Sequence, residues 1–151
     1  MMGFLDKLFG KNDDAKPYCS QEGTPISIDN LLAQLYQTKG RTKIHFAYLN
    51  IINQTYNRRG DQVTRALFTK LAIEHVEMFR AIRAPLMKQC YGKLPHVPTF
   101  QYLATVYAED GEYNKAIEVC EKAISFGLSD WTKSGYEGRI ERIRKHMQAL
   151  K

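Results

Sequence analysis

Apolar residues recur at helical spacing through residues 99–128, and this pattern constrains the fold more than any other feature of the chain. Large side chains at Phe100, Leu103 and Tyr107 are about one turn apart, as on one face of a helix. Gly111 follows them, and a second helical run then begins. Small residues in both runs allow two helices to approach to the lower end of the usual range of about 8–10 Å. These small residues are Ala104, Ala116 and Ala123. The segment therefore predicts two closely packed helices joined by a tight turn at Gly111.

Residues 98–128 resemble the tetratricopeptide repeat, a helical hairpin that occurs in tandem arrays. The repeat has large aromatic and leucine residues in its first helix and small residues in its second, at the positions that these residues occupy here. Two positions depart from the pattern, because Cys120 replaces the usual aromatic residue and Leu128 stands where proline is common. The resemblance implies antiparallel helical hairpins and the binding of a partner protein in a groove.

A second, degenerate copy covers residues 47–73. A shift of about 51 residues, longer than the usual repeat of about 34, pairs its residues with those of the first motif. The pairs are Tyr56 with Tyr107, Gly60 with Gly111, Ala72 with Ala123, and Ile73 with Ile124. Arg65 and Asn53 stand where small residues are expected, so the copy is tetratricopeptide-like only in part.

The rest of the chain also shows helical periodicity, and no segment alternates as a strand does. Predicted helices contain Leu31, Leu32, Leu35 and Tyr36, then residues 42–59 capped by Thr42, then residues 61–83 capped by Asp61. We expect Val63 on the buried side of the third helix and Ala84-Pro85 to end it. A last helix places Ile140, Ile143, Met147 and Leu150 on one stripe, with Arg139, Arg142, Arg144 and Lys145 on other faces. These patterns predict an all-α fold of tetratricopeptide-like antiparallel hairpins with a C-terminal capping helix.

The domain organisation follows from composition. Residues 1–9 form a short amphipathic segment, residues 10–25 a linker rich in turn-forming residues, and residues 26–151 a single helical domain. The apolar face of the first segment needs a cover, which is the protein's own core, a partner groove or a membrane surface. Its residues, a candidate membrane or partner anchor, are Phe4, Leu5, Leu8 and Phe9.

A polar stripe is the best candidate for a binding surface. Asn50, Asn53, Gln54 and Asn57 lie at i, i+3, i+4 and i+7 and share one helical face. The resemblance implies that the first helix of each pair lines the groove, where side-chain amides bind a peptide backbone, and it adds Gln101 and Thr105 to the predicted partner-binding residues. A solvated face is the alternative. The lysine-rich carboxylate clamp of chaperone-binding relatives is not reproduced.

Composition and motifs favour a protein-interaction module over an enzyme. The four histidines are widely separated, no phosphate-binding loop or nucleophile elbow occurs, and no metal or cofactor is expected. Three cysteines, far apart, suit a reducing cytoplasmic compartment, and a peripheral membrane location remains open. The alternatives to a protein-binding adaptor are a membrane-surface regulatory protein and a nucleic-acid-binding protein. The last rests only on the net charge of +6 and the basic C-terminal helix.

Overall fold

The structure is a computed structural model that describes residues 27–151, and within them it contains six α-helices and no strand. The predicted all-α class is confirmed. The helices are α1 (Ile28–Gln37), α2 (Arg41–Asn57), α3 (Gln62–Gln89), α4 (Thr99–Glu109), α5 (Tyr113–Ser125) and α6 (Gly135–Ala149).

The two predicted N-terminal segments, residues 1–9 and 10–25, lie outside the described residues, and so does the candidate anchor. The helices fall into two compact units, whose described parts are residues 27–93 and 94–151. The single domain predicted over residues 26–151 therefore contains two packing units.

In the first unit, α1 packs against α2 and α2 packs against α3. The long helix α3 begins as predicted, because Asp61 Oδ2 accepts hydrogen bonds from Thr64 N at 2.9 Å and Thr64 Oγ1 at 2.8 Å. Helix α2 begins at Arg41 rather than at Thr42, after Gly40 with a φ of 101°. The largest side chains of this core are Ile51, Ile52, Phe68, Leu71, Phe79, Ile82 and Leu86.

Two predictions for this unit were wrong. Val63 is 79% exposed, because it lies on the solvent side of α3. Pro85 lies inside α3 and does not end it. Proline removes one backbone donor and disfavours the helical turn before it, but Leu86 beyond it is fully buried. We infer that the packing of Leu86 outweighs the local cost of Pro85.

In the second unit, α4 packs against α5 and α5 packs against α6. The predicted close-packing residues are confirmed as buried, since Ala104, Ala116 and Ala123 are each 0% exposed. Gly111 has a φ of 77°, which confirms the left-handed turn between α4 and α5.

The last helix, α6, agrees with the predicted pattern only in part. Ile140 and Ile143 are buried as expected, but Leu150 is 63% exposed at the end of the helix. Arg139 was predicted on a polar face and is fully buried. The reason is its ion pair with Asp130, which lies outside the helix, so helical periodicity does not indicate it.

Candidate functional site

Helix α2 has two faces of opposite character. Its buried face packs in the first unit and consists of His45, Tyr48, Leu49, Ile51, Ile52 and Thr55. The opposite face carries the predicted polar stripe. We call its four residues, Asn50, Asn53, Gln54 and Asn57, the amide stripe. Asn50 and Asn57 are exposed, and Asn53 and Gln54 are half-buried.

The side-chain amides of the amide stripe make no hydrogen bond to any residue that the structure describes. This differs from Thr55 on the buried face, whose hydroxyl donates to Ile51 O at 2.8 Å. Each amide therefore keeps both its donors and its acceptor for solvent or for a bound molecule. The sequence prediction placed these four residues together, and the structure shows them on one helix face with access to solvent.

Gln101 and Thr105 were predicted to join the same binding surface, but unlike the amide stripe they are buried. Gln101 is 2% exposed and Thr105 is 7% exposed, and the Thr105 hydroxyl donates to Gln101 O at 2.8 Å within α4. Nearly the whole circumference of α4 is buried. The sequence did not indicate this, because the polar residues of α4 are spaced like those of an amphipathic helix with one exposed face.

Two histidines are in contact between α2 and α3, on the buried side of α2 that lies opposite the amide stripe. His45 Nδ1 and His75 Nε2 are 2.9 Å apart, and both side chains are fully buried. Burial lowers the pKa of His45 from 6.5 to about 4. Burial and the neighbouring His45 lower the pKa of His75 to about 3. Both rings are therefore neutral at pH 7, and one nitrogen of the pair donates to the other.

Tyr48 extends this polar contact toward the surface. Its ring stacks on His75 with centroids 5.1 Å apart and planes inclined by 7°. Its hydroxyl donates to Glu74 Oε2 at 3.1 Å. Burial, the hydrogen bond to Glu74 and its charge raise the pKa of Tyr48 to about 12. Tyr48 therefore stays a neutral donor at physiological pH, and these contacts fix the rotation of α2 that turns the amide stripe outward.

The histidine pair was not predicted from the sequence, because His45 and His75 are 30 residues apart and do not share a helix. A signal existed, since both histidines fall within the apolar stripes of their helices. The other ring nitrogen of His45, Nε2, is buried and has no hydrogen-bond partner among residues 27–151. Among residues 27–151, no group of three or more histidine, cysteine or acidic side chains is placed to hold a metal ion.

The second unit contains a buried ion pair, which was also not predicted from the sequence. Asp130 Oδ2 accepts a hydrogen bond from Arg139 Nε, and both side chains are 0% exposed. Asp130 Oδ1 accepts from Thr132 N at 2.9 Å and from Thr132 Oγ1. Burial opposes ionisation of Asp130, but the hydrogen bonds from Thr132 and the Arg139 guanidinium outweigh it and lower the pKa. This pair holds the loop between α5 and α6 against the start of α6.

The same loop exposes the single tryptophan. Trp131 is 75% exposed, has a φ of 62°, and lies with its ring centroid 4.8 Å from that of His96. Cys90 and Cys120, the two cysteines in the part of the chain that the structure describes, form no disulfide bond. Burial raises the pKa of the Cys120 thiol to about 12, so that it stays protonated.

No helix among the described residues is both long and apolar enough to cross a membrane. A search for relatives gives no match to any protein-family model, to any curated protein or to any solved structure.

Proposed function

We propose that this protein is an interaction module that binds a peptide segment of a partner protein along the amide stripe of α2. The observation that carries the proposal is the set of four adjacent amides, two exposed and two half-buried, without hydrogen bonds to the described residues. A side-chain amide offers a donor and an acceptor together, and an extended peptide backbone presents the same two groups. Four amides along two turns of helix match several successive peptide groups.

Helix stability does not explain the composition of the stripe. Asparagine forms helices less readily than alanine, leucine or glutamate, and three of the four residues are asparagine. Surface positions of a helix that serve only to stay soluble are better filled by the stronger helix formers. We infer that the opposite, buried face of α2 stabilises the helix and that the stripe serves a ligand.

The proposal extends to the finer architecture. We propose that α4 and α5 form a tetratricopeptide-like antiparallel hairpin, that α2 and α3 form a degenerate one, and that α6 is the capping helix. The packing of these helices in sequence order and the burial of Ala104, Ala116 and Ala123 support this. The function as an adaptor does not depend on it, because the amide stripe lies on α2 alone.

The test begins with a peptide selected from a random library on the immobilised full-length protein. Calorimetry then compares its affinity for the parent protein and for the double variant Asn50→Ala, Gln54→Ala. Each lost amide contact removes about 0.5–1.5 kcal/mol, so we expect roughly five- to a hundred-fold weaker binding. Both side chains make no hydrogen bonds within the described residues, so the melting temperature stays close to that of the parent.

The matched control is Asn30→Ala, Gln34→Ala on α1. These two residues have the same types and the same spacing of four, and both are exposed. We expect the control to keep the parent affinity. Equal affinity of the parent and the stripe variant, at equal stability, would contradict the proposed function.

A further inference from the structure

The positive charge of the protein is concentrated in the unit that carries the amide stripe. Residues 27–93 contain eleven lysines and arginines against four aspartates and glutamates, whereas residues 94–151 contain eight of each. The first unit therefore carries a net charge of +7, and the rest of the chain brings the total to +6. Two of its four acidic side chains are engaged in the fold, since Asp61 caps α3 and Glu74 accepts from Tyr48. A ligand that approaches this unit meets a positive field.

The excess is greatest around α2. Residues 30–60 contain five cationic residues and no acidic one. Lys43 lies seven residues before Asn50, two helical turns along the same face, and it is exposed. Arg58 directly follows Asn57 and is also exposed. Neither Lys43 nor Arg58 forms an ion pair or a hydrogen bond through its side chain with the described residues. The amide stripe thus has an unpaired cation at each end.

The distance between these cations sets the length of a matching ligand. They are 15 residues apart in sequence, which at a rise of 1.5 Å per residue corresponds to about 22 Å along α2. An extended peptide advances about 3.3 Å per residue, so about seven residues cover that distance. The middle of this stretch faces amides and the half-buried Phe46 and Ala47, which carry no charge.

We propose that the amide stripe binds an extended segment of a partner protein that has acidic residues at both ends and an uncharged middle of about five residues. This inference rests on the proposed function and adds the chemistry of the partner. The carboxylates pair with Lys43 and Arg58, and the amides bind the backbone between them. The electrostatic part steers association and selects partners by charge. A free C-terminal carboxylate is not needed, because acidic side chains supply both ends.

Nucleic acid fits the same surface less well. Every nucleotide carries a phosphate, so a strand along α2 places several negative charges against the uncharged middle of the amide stripe. Single-strand binding surfaces combine a cationic groove with aromatic side chains on which bases stack. The middle of the stretch between Lys43 and Arg58 offers amides and no cation, and its one aromatic side chain on that face, Phe46, is half-buried.

The experiment uses three pools of peptides of about seven residues, with a randomised uncharged middle and two ends of one kind. The ends are acidic, amide or basic, and fluorescence anisotropy with the full-length protein measures their binding. We expect the acidic-ended pool to bind roughly tenfold more tightly than the amide-ended pool, and the difference to shrink as salt is raised. A single-stranded oligonucleotide is measured under the same conditions.

Charge reversal tests the two named cations. Lys43→Glu with Arg58→Glu should abolish the preference for acidic ends and favour the basic-ended pool. The matched control, Lys70→Glu with Lys88→Glu, changes the net charge by the same amount at two exposed positions of α3 and should keep the acidic preference. Asn50→Ala with Gln54→Ala should weaken the binding of the acidic-ended and the amide-ended pools by the same factor. This result separates the claim that the amides bind the backbone from the claim that the cations select acidic ends.

Four outcomes would overturn the inference. If all three pools bind equally and the amide variant weakens them, the proposed function stands and the acidic partner does not. If the control reversal acts as strongly as the reversal at Lys43 and Arg58, only net charge matters. If the oligonucleotide binds more tightly than the acidic-ended pool and the reversal at Lys43 and Arg58 abolishes it, the partner is a nucleic acid. Binding of no pool would overturn both claims.

Discussion

His45 and His75 form the polar centre of the contact between α2 and α3, with Nδ1 of the first 2.9 Å from Nε2 of the second. Both rings are fully buried, and His75 also stacks on Tyr48. A single proton between the two nitrogens satisfies both, provided that the two rings stay neutral. The helix that presents the amide stripe is therefore held in place by a contact that is sensitive to protonation.

The first prediction concerns pH. The pKa values of His45 and His75 fall to about 4 and about 3 in the fold, from 6.5 in the unfolded chain. Between pH 6.5 and about 4 the two histidines bind more protons in the unfolded chain than in the folded one. Their contribution to the free energy of unfolding is therefore fully present above pH 6.5 and is lost as the pH falls toward 4. Each histidine contributes a slope of about 1.4 kcal/mol per pH unit in that window. Urea unfolding at a series of pH values measures it.

The comparison is the double variant His45→Leu, His75→Leu, which has neither imidazole. It should show a shallower loss of stability between neutral pH and pH about 4, because only the other titrating groups remain. A variant with the same slope as the parent would show that the pair does not titrate in this range.

The second prediction concerns the close packing of α4 and α5. Ala116 is 0% exposed, so Ala116→Leu forces three additional carbons into a filled contact. We expect a loss of about 1–3 kcal/mol in the free energy of unfolding. Denaturant unfolding checks it, and a change within about 0.5 kcal/mol would place Ala116 at the surface.

The third prediction contrasts a buried and an exposed ion pair. Asp130→Asn leaves the buried Arg139 without its carboxylate, and we expect a loss of about 3 kcal/mol or more. Glu112→Gln removes an exposed carboxylate 2.8 Å from Lys115 and should change stability by less than about 1 kcal/mol. Similar effects of the two substitutions would mean that Asp130 is accessible to water.

The fourth prediction concerns Pro85. Its ring removes one hydrogen bond from the interior of α3, so Pro85→Ala should restore that bond and raise the free energy of unfolding by about 1 kcal/mol or more. Thermal and denaturant unfolding both report it. A loss of stability would fit the opposite arrangement, in which the helix ends at the proline as its sequence suggests.

The sequence was sufficient to predict features that depend on local periodicity. The helical class, the cap at Asp61, the turn at Gly111 and the buried alanines all follow from spacing and from the conformational preferences of single residues. The four residues of the amide stripe were also found from their spacing alone.

Features that depend on contacts distant in sequence were not predicted. Arg139 was assigned to a polar face because its partner Asp130 lies outside the helix, and His45 was separated from His75 by 30 residues. Gln101 and Thr105 were assigned to a groove because their own helix does not show that its polar side is also buried. The end of α3 was misplaced because the burial of Leu86 cannot be read from Pro85.

Resonance mapping of the side-chain amides tests the central claim most directly. The selected peptide is titrated into isotope-labelled full-length protein while the side-chain NH₂ signals of asparagine and glutamine are followed. We predict that Asn50, Asn53, Gln54 and Asn57 show the largest and saturable shifts, and that Asn30 and Gln34 on α1 stay nearly unchanged. Saturable binding with the four signals of the amide stripe unmoved would contradict the account.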